Sequence, residues 1–189
     1  MKMLLCAAFF WASISTQFSA LAIEYKVDEA QSALKFSGVH AGNHFNGHFT
    51  QWQAHINFDA NNLPASHVEV EVNTASAQTG NAMYDGTLPT LDWFDVKNYP
   101  QAIYKSQSFS DNGGGKYTAK GSLTLRDKTL PVEFTVQLQF PEQKNTPTKA
   151  VLALDIDRLA FGIGGKSDPK AEWVDKNIKL EAIILAHPL

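Results

Sequence analysis

VEFTVQLQF, Val132 to Phe140, alternates apolar and polar residues at every step. Side chains two apart on a strand share a face, so Val132, Phe134, Val136, Leu138 and Phe140 make one apolar face and leave a wet one opposite. The same period recurs on both sides of this stretch. Trp52, Ala54, Ile56 and Phe58 alternate with Gln53, His55 and Asn57, and Val68, Val70 and Val72 alternate with Glu69 and Glu71. Leu152, Leu154 and Ile156 follow, then Ile178, Leu180, Ala182 and Ile184. Strands with one apolar and one wet face belong to antiparallel sheets.

Turn residues separate these runs. Asp59 to Pro64 divides two strands, and Asp111-Asn112-Gly113-Gly114-Gly115 reads as a hairpin tip, because such residues tolerate positive φ. Arg126-Asp127-Lys128, Pro141 to Pro147 and Gly162 to Pro169 read as further connections. The expected count is about eight or nine strands, with one helical piece around Thr79 to Trp93. Many antiparallel strands in one short domain make a sandwich or a barrel. The alternation from Phe45 to Phe58 spans fourteen residues, and no Cys–Trp–Cys pattern marks an immunoglobulin-like sandwich. The fold class expected is therefore all-β, an eight-stranded antiparallel lipocalin-like barrel with a short helical segment, able to hold one small apolar ligand.

One segment breaks the period. Gly86 to Ser106, GTLPTLDWFDVKNYPQAIYKS, sets aromatic and leucine side chains beside two prolines. A compact aromatic plug between strands closes or lines something.

The ends bound the location. Lys2, the apolar run Met3 to Ile14 and Ala20-Leu21-Ala22 are the three parts of a secretory signal. Cleavage is expected after Ala22, giving a leader over 1–22 and one domain over 23–189. The sole cysteine, Cys6, lies inside that leader, so the mature domain has no thiol and no disulfide. An exported, disulfide-free domain fits a bacterial periplasm. The formal charge is −3 with Arg126 and Arg158 the only arginines, a poor footprint for nucleic acid.

Catalytic motifs are sparse. His40, His44 and His48 recur at four-residue spacing among Gly and Asn, where helix is disfavoured. On a strand that spacing is about 13 Å, too far for one ion, so strand-edge histidines are the plainer reading and a metal site the alternative. Asp92 and Asp95 flank Trp93-Phe94 and could pose as an acid–base pair; the plainer reading is that they cap or end a helix. No G-x-S-x-G elbow is present.

Taken together, the residues resemble the YceI-like family. Tyr25-Lys26-Val27-Asp28 with Ser32 to Phe36 looks like its opening strand pair. Gly47-His48-Phe49, Ile56 to Asp59 and Thr74 to Gly80 match its next segments in order. Leu91-Asp92-Trp93-Phe94-Asp95 with Tyr99-Pro100 is similar to its D-x-F signature. Gly121 to Leu125 with Lys128, Pro131 and Val132, then Arg158, Phe161 and Gly162, complete it. Thr87 stands where many members have histidine, and Asp127 replaces a turn glycine.

The resemblance implies binding rather than catalysis: a periplasmic carrier of an isoprenoid lipid, with a quinone or polyprenyl phosphate headgroup, inside the barrel. It implies no cofactor. Phe36, Phe49, Leu88, Leu91, Trp93, Phe94, Phe109 and Phe134 are the expected ligand-binding residues of the barrel's wall or lid. The wording of the Gly86–Asp95 stretch resembles a branch associated with cytochrome b561-type membrane proteins, which would make such a protein a partner. An open sheet edge would invite a homodimer. The rival readings are a secreted hydrolase-like enzyme using Asp92 or a histidine, and a ligand-free stress-response barrel.

Overall fold

The structure, a computed structural model, describes residues 22–143 and 146–189. The expected leader lies outside these residues except for Ala22. In chain order the elements are β1 (Ile23–Val27), β2 (Ala33–His40), β3 (Asn43–Phe49), β4 (Trp52–Phe58), β5 (His67–Asn73), β6 (Ala77–Gln78) and α1 (Ala82–Thr87). They continue as β7 (Gln101–Asp111), β8 (Lys116–Leu125), β9 (Lys128–Gln139), β10 (Thr148–Asp157) and β11 (Asn177–Pro188).

All pairings are antiparallel, and the order β1-β4-β5-β7-β8-β9-β10-β11 returns to β1. The sheet is a closed barrel of eight strands around its ring. β1 and β2 run along one edge of β11, against Ala186–Pro188 and Lys179–Ile183 respectively. They are two halves of one broken strand, as are β3 and β4.

That break corrects the sequence reading of Phe45 to Phe58 as one long strand. Thr50 and Gln51 form a bend. Thr50 N–H donates to Ser76 O, Gln51 N–H donates to Ser76 Oγ at 3.1 Å, and Ser76 Oγ donates to Asn73 O at 2.7 Å. Thr74 Oγ1 donates to Tyr99 O at 2.9 Å. The nearly buried Thr74 and Ser76 thus supply hydrogen bonds that a turning backbone would otherwise leave unmade. The bend shifts parity: Phe45 and Phe49 face in before it, Trp52 to Phe58 after it.

The helical expectation over Thr79 to Trp93 is also shortened. Asn81 caps α1 through Oδ1, which accepts from Met83 and Tyr84 N–H, and the helix ends at Thr87. Leu88 to Tyr99 continues as hydrogen-bonded turns, with Pro89 two residues beyond the end of α1.

At one end of the barrel Phe58, Tyr117 and Val136 form a buried cluster; at the other Leu125, Phe161 and Ile163 do so, joined by Trp93 and Phe94. Antiparallel connectivity places the β2–β3 turn, the β5–β7 excursion and the β10–β11 loop all at this second end. The β2–β3 turn has left-handed backbone at both Ala41 (φ 49) and Gly42 (φ 79), the conformation that matches strand twist in a two-residue hairpin.

Candidate ligand-binding site

The apolar faces of β4, β5, β8, β9, β10 and β11 all point inward. They enclose a bore of about 200 Å³ running between them. Among the described residues, no Asp, Glu, Lys, Arg or His lines it. Phe109 and Phe134, two of the expected wall or lid residues, do. Phe109 faces in because a bulge between Ser106 and Ser108 shifts the register of β7 against β8. Its ring meets Phe58 edge-on at 5.5 Å, and Phe134 packs on Tyr104 at 5.4 Å. Burial pushes the Tyr104 phenol up to about 12, so it stays neutral in the wall.

A second cavity of about 330 Å³ opens at the lidded end, between the β2–β3 hairpin, α1 and the β10–β11 loop. Of the expected residues, Phe36, Leu88 and Trp93 line this vestibule. Leu34 and Phe36 are successive inward positions on β2, yet they line different cavities. The boundary falls where the Phe36 and Phe49 rings pack at 5.2 Å, and Phe94 adjoins Phe49 at 6.1 Å. Phe49 and Phe94 line neither cavity: Phe49 packs against the Leu34, Val72 and Ala182 cluster, and Phe94 against Leu125, Phe161 and Ile163. Leu91 lines neither cavity and is 60% exposed. Parity cannot place it, because it lies in a turn with no strand period.

Gly47 explains the position of Phe36. A Cβ there would stand 2.6 Å from Phe36 Cε2 and 2.7 Å from Cε1, so the bare backbone is the seat of the ring.

The floor of the vestibule is polar and fully paired. Arg158, 2% exposed, donates through Nε to Asp175 O, through Nη1 to Ile163 O and through Nη2 to Val174 O and Asp168 Oδ2. Burial opposes ionisation of Asp168, but N–H donors from Val174, Glu172 and Trp173 and the Arg158 charge outweigh it and hold the carboxyl below its ordinary value. Arg158 also stacks its guanidinium 5.7 Å from the Trp93 ring. Together these contacts shape the β10–β11 loop that closes the barrel end. Arg158 was legible as a family position and Phe45 as the start of an alternating run; Asp168, Tyr84 and Trp173 carried no sequence signal.

Asp92 does not cap a helix, as expected from its sequence, because α1 ends before it. Its carboxylate accepts from Lys166 N–H, Ser167 N–H and Ser167 Oγ at 2.9, 2.8 and 2.6 Å, tying the aromatic segment to the β10–β11 loop. Desolvation is outweighed by these bonds, and the group is held below its usual range. Asp95 is buried and accepts both bonds from Asn98 Nδ2. Arg126 Nη1 donates to Gly162 O at 2.7 Å and bridges the same two segments through Asp92 O.

The histidines separate. His40 Nδ1 shares a 2.9 Å hydrogen bond with Tyr84 Oη, while His44 and His48 sit exposed on the outer face of β3.

A model of the YceI-like domain matches residues 25–186, nearly the whole barrel. The chain belongs to the YceI-like family. A UPF0312 protein of Vibrio campbellii is 31% identical over 97% of this chain and 99% of its own length. A UPF0312 protein of Yersinia enterocolitica is 36% identical over 72% of this chain and 71% of its own. Among solved structures, Burkholderia cenocepacia BcnA superposes with a TM-score of 0.79 at 26% identity, covering 85% of this chain and 99% of that one. A polyisoprenoid-binding domain from Saccharophagus degradans shares the fold, with a TM-score of 0.69 at 12% identity over 88% of this chain and 99% of that one.

Proposed function

We infer that this YceI-like barrel binds an isoprenoid lipid, with the apolar tail in the bore. The observation that carries this reading is a closed barrel whose bore has no charged lining among the described residues. A cavity of that kind stays dry and rewards an apolar chain, at about 25 cal/mol for each Å² removed from water. The name of the Saccharophagus domain supports the same ligand class.

Export by the N-terminal leader would place the protein in the periplasm, where a lipid tail cannot cross water unaided. A carrier of an isoprenoid quinone would have a membrane quinone enzyme, such as a cytochrome b561-type protein, as its partner. A hydrolase reading is disfavoured by Asp92, whose carboxylate is held ionised by three hydrogen bonds and is spent on a loop.

Organic extraction of the protein purified from its native periplasm, followed by mass spectrometry, tests the reading. A polyprenyl species at one per chain is expected. An empty barrel that also fails to take up an isoprenoid quinone from micelles would overturn it.

A further inference from the structure

The barrel ring is closed, but one stretch of it lacks a second neighbour. β3 pairs with β2 along its whole length, from Leu34 opposite Phe49 to His40 opposite Asn43. On its other side β6 meets only His48 and Phe49. The chain leaves the sheet soon after Gln78. Thr79 N–H donates to Asp85 Oδ1 at 2.7 Å, Gly80 takes left-handed backbone (φ 75), and Asn81 caps α1. Residues 43–47 are therefore an open edge.

The direction of its hydrogen bonds follows from the register. In an antiparallel pair, residues that exchange both backbone bonds with the neighbour alternate with residues that exchange none. The two-residue turn at Ala41–Gly42 makes His40 and Asn43 a bonded pair, so the odd-numbered residues of β3 bond to β2. On the other side Thr50 N–H donates to Ser76 O, so the even-numbered residues bond outward. His48 lies opposite Gln78. His44 and Asn46 lie opposite no strand, and no other group among the described residues meets their N–H or C=O.

Sheet edges are ordinarily blunted by charge, proline or a bulge. This one carries none of them. Asn43–Phe49 contains no Asp, Glu, Lys, Arg or Pro, and its register against β2 is unbroken. His44 and Asn46 are exposed, while Phe45 between them turns inward onto Tyr84, with ring centroids 5.8 Å apart.

The spacing of the free groups decides what fits the edge. His44 and Asn46 sit symmetrically about Phe45. An antiparallel copy of the same strand, related by a two-fold axis at Phe45, sets His44 against the partner's Asn46 and Asn46 against the partner's His44. Every N–H and C=O left over on both copies is then used, and no like charges face each other across the seam.

We propose that the open edge of β3, residues 43–47, is a self-association surface that pairs antiparallel with β3 of a second copy of this chain. The pairing needs nothing from the carrier reading. It would run the sheet of one barrel into the next and set the partner's Phe45 beside Phe45, at the lidded end. So short a seam falls well below a standard interface, so the dimer is weak and reversible, with Kd on the order of 0.1–1 mM.

Sedimentation equilibrium of the full mature chain, from about 0.02 to 2 mM, tests it. The mass is expected to rise from monomer to dimer across that range. Amide exchange at His44 and Asn46 should slow as concentration rises. Asn46→Pro removes one outward N–H, where an edge strand tolerates proline and the β2 ladder is spared. It should weaken association at least tenfold. His44→Glu combined with Asn46→Glu changes only exposed side chains and puts like charges opposite each other in both pairs. It should abolish the dimer, and it keeps the test decisive if the proline variant misfolds. His44→Lys combined with Asn46→Glu sets opposite charges across the seam and should restore or tighten it. A chain that stays monomeric throughout, a dimer indifferent to the two glutamates, or protection that rises on another strand instead would each overturn the proposal.

Discussion

Arg158 Nη2 donates to Asp168 Oδ2 at 2.6 Å, with the two side chains only 2% and 6% exposed. Breaking a buried pair by removing one partner strands the other charge without solvent, at about 3–5 kcal/mol. Arg158→Ala is therefore expected to lower the unfolding free energy by about that amount in urea titration. It should also speed amide exchange through 163–176. A loss under about 1 kcal/mol would mean that the Asp168 carboxylate finds water instead.

The same carboxylate sets an acid limit. Its folded-state value lies below its ordinary one of about 3.9. The unfolded chain then takes up the proton first as pH falls. The stabilisation from ionised Asp168 is complete above about pH 5 and is lost progressively as pH drops through the ordinary value and then the folded one. Asp92, shifted the same way, adds to the slope. Unfolding free energy measured from pH 6 to pH 2 should fall steeply below about pH 4, and more shallowly in Asp168→Asn.

Gly47→Ala tests the seat of Phe36. The added methyl meets the ring inside van der Waals contact. Overpacking of this kind should cost about 1–3 kcal/mol and displace Phe36 from Phe49. An unchanged denaturation midpoint would show that the ring moves freely.

Ala41 holds left-handed backbone at φ 49 without the freedom of glycine. Ala41→Gly relieves that strain, against the entropy glycine adds to the unfolded chain, and is expected to stabilise by about 0.5–1 kcal/mol. Because Ala41 N–H donates to Trp173 O at 2.7 Å, the change should leave the lid contact in place.

Ala150 lines the bore from β10. Ala150→Phe would fill part of the lumen while keeping the surface intact. Uptake of an isoprenoid quinone, read by fluorescence quenching, should fall at least tenfold. Unimpaired uptake would place the tail elsewhere.

Much of this molecule was readable from residue period alone. The pleat sends successive side chains to opposite faces, so Val132 to Phe140 or Val68 to Val72 declares which residues act together. Thr74 and Ser76 stood out as a family segment, though their task of holding the Thr50–Gln51 bend was not readable. The aromatic segment was harder. It has no period, so Leu91 and Trp93 looked alike; one is solvent-facing and the other lines the vestibule.

By itself the sequence determined an antiparallel all-β domain, the membership of each apolar face and the family of the barrel, because these follow from local alternation and motif order. Only the tertiary structure decided that those faces enclose a bore. It alone showed that Phe36 lines a second cavity apart from the bore and that Asp168 neutralises Arg158. It alone brought Phe45, Tyr84 and Trp173 together around one cavity. Those facts depend on strand closure and on loops meeting across the barrel end, between residues remote along the chain, and no local period encodes such distances.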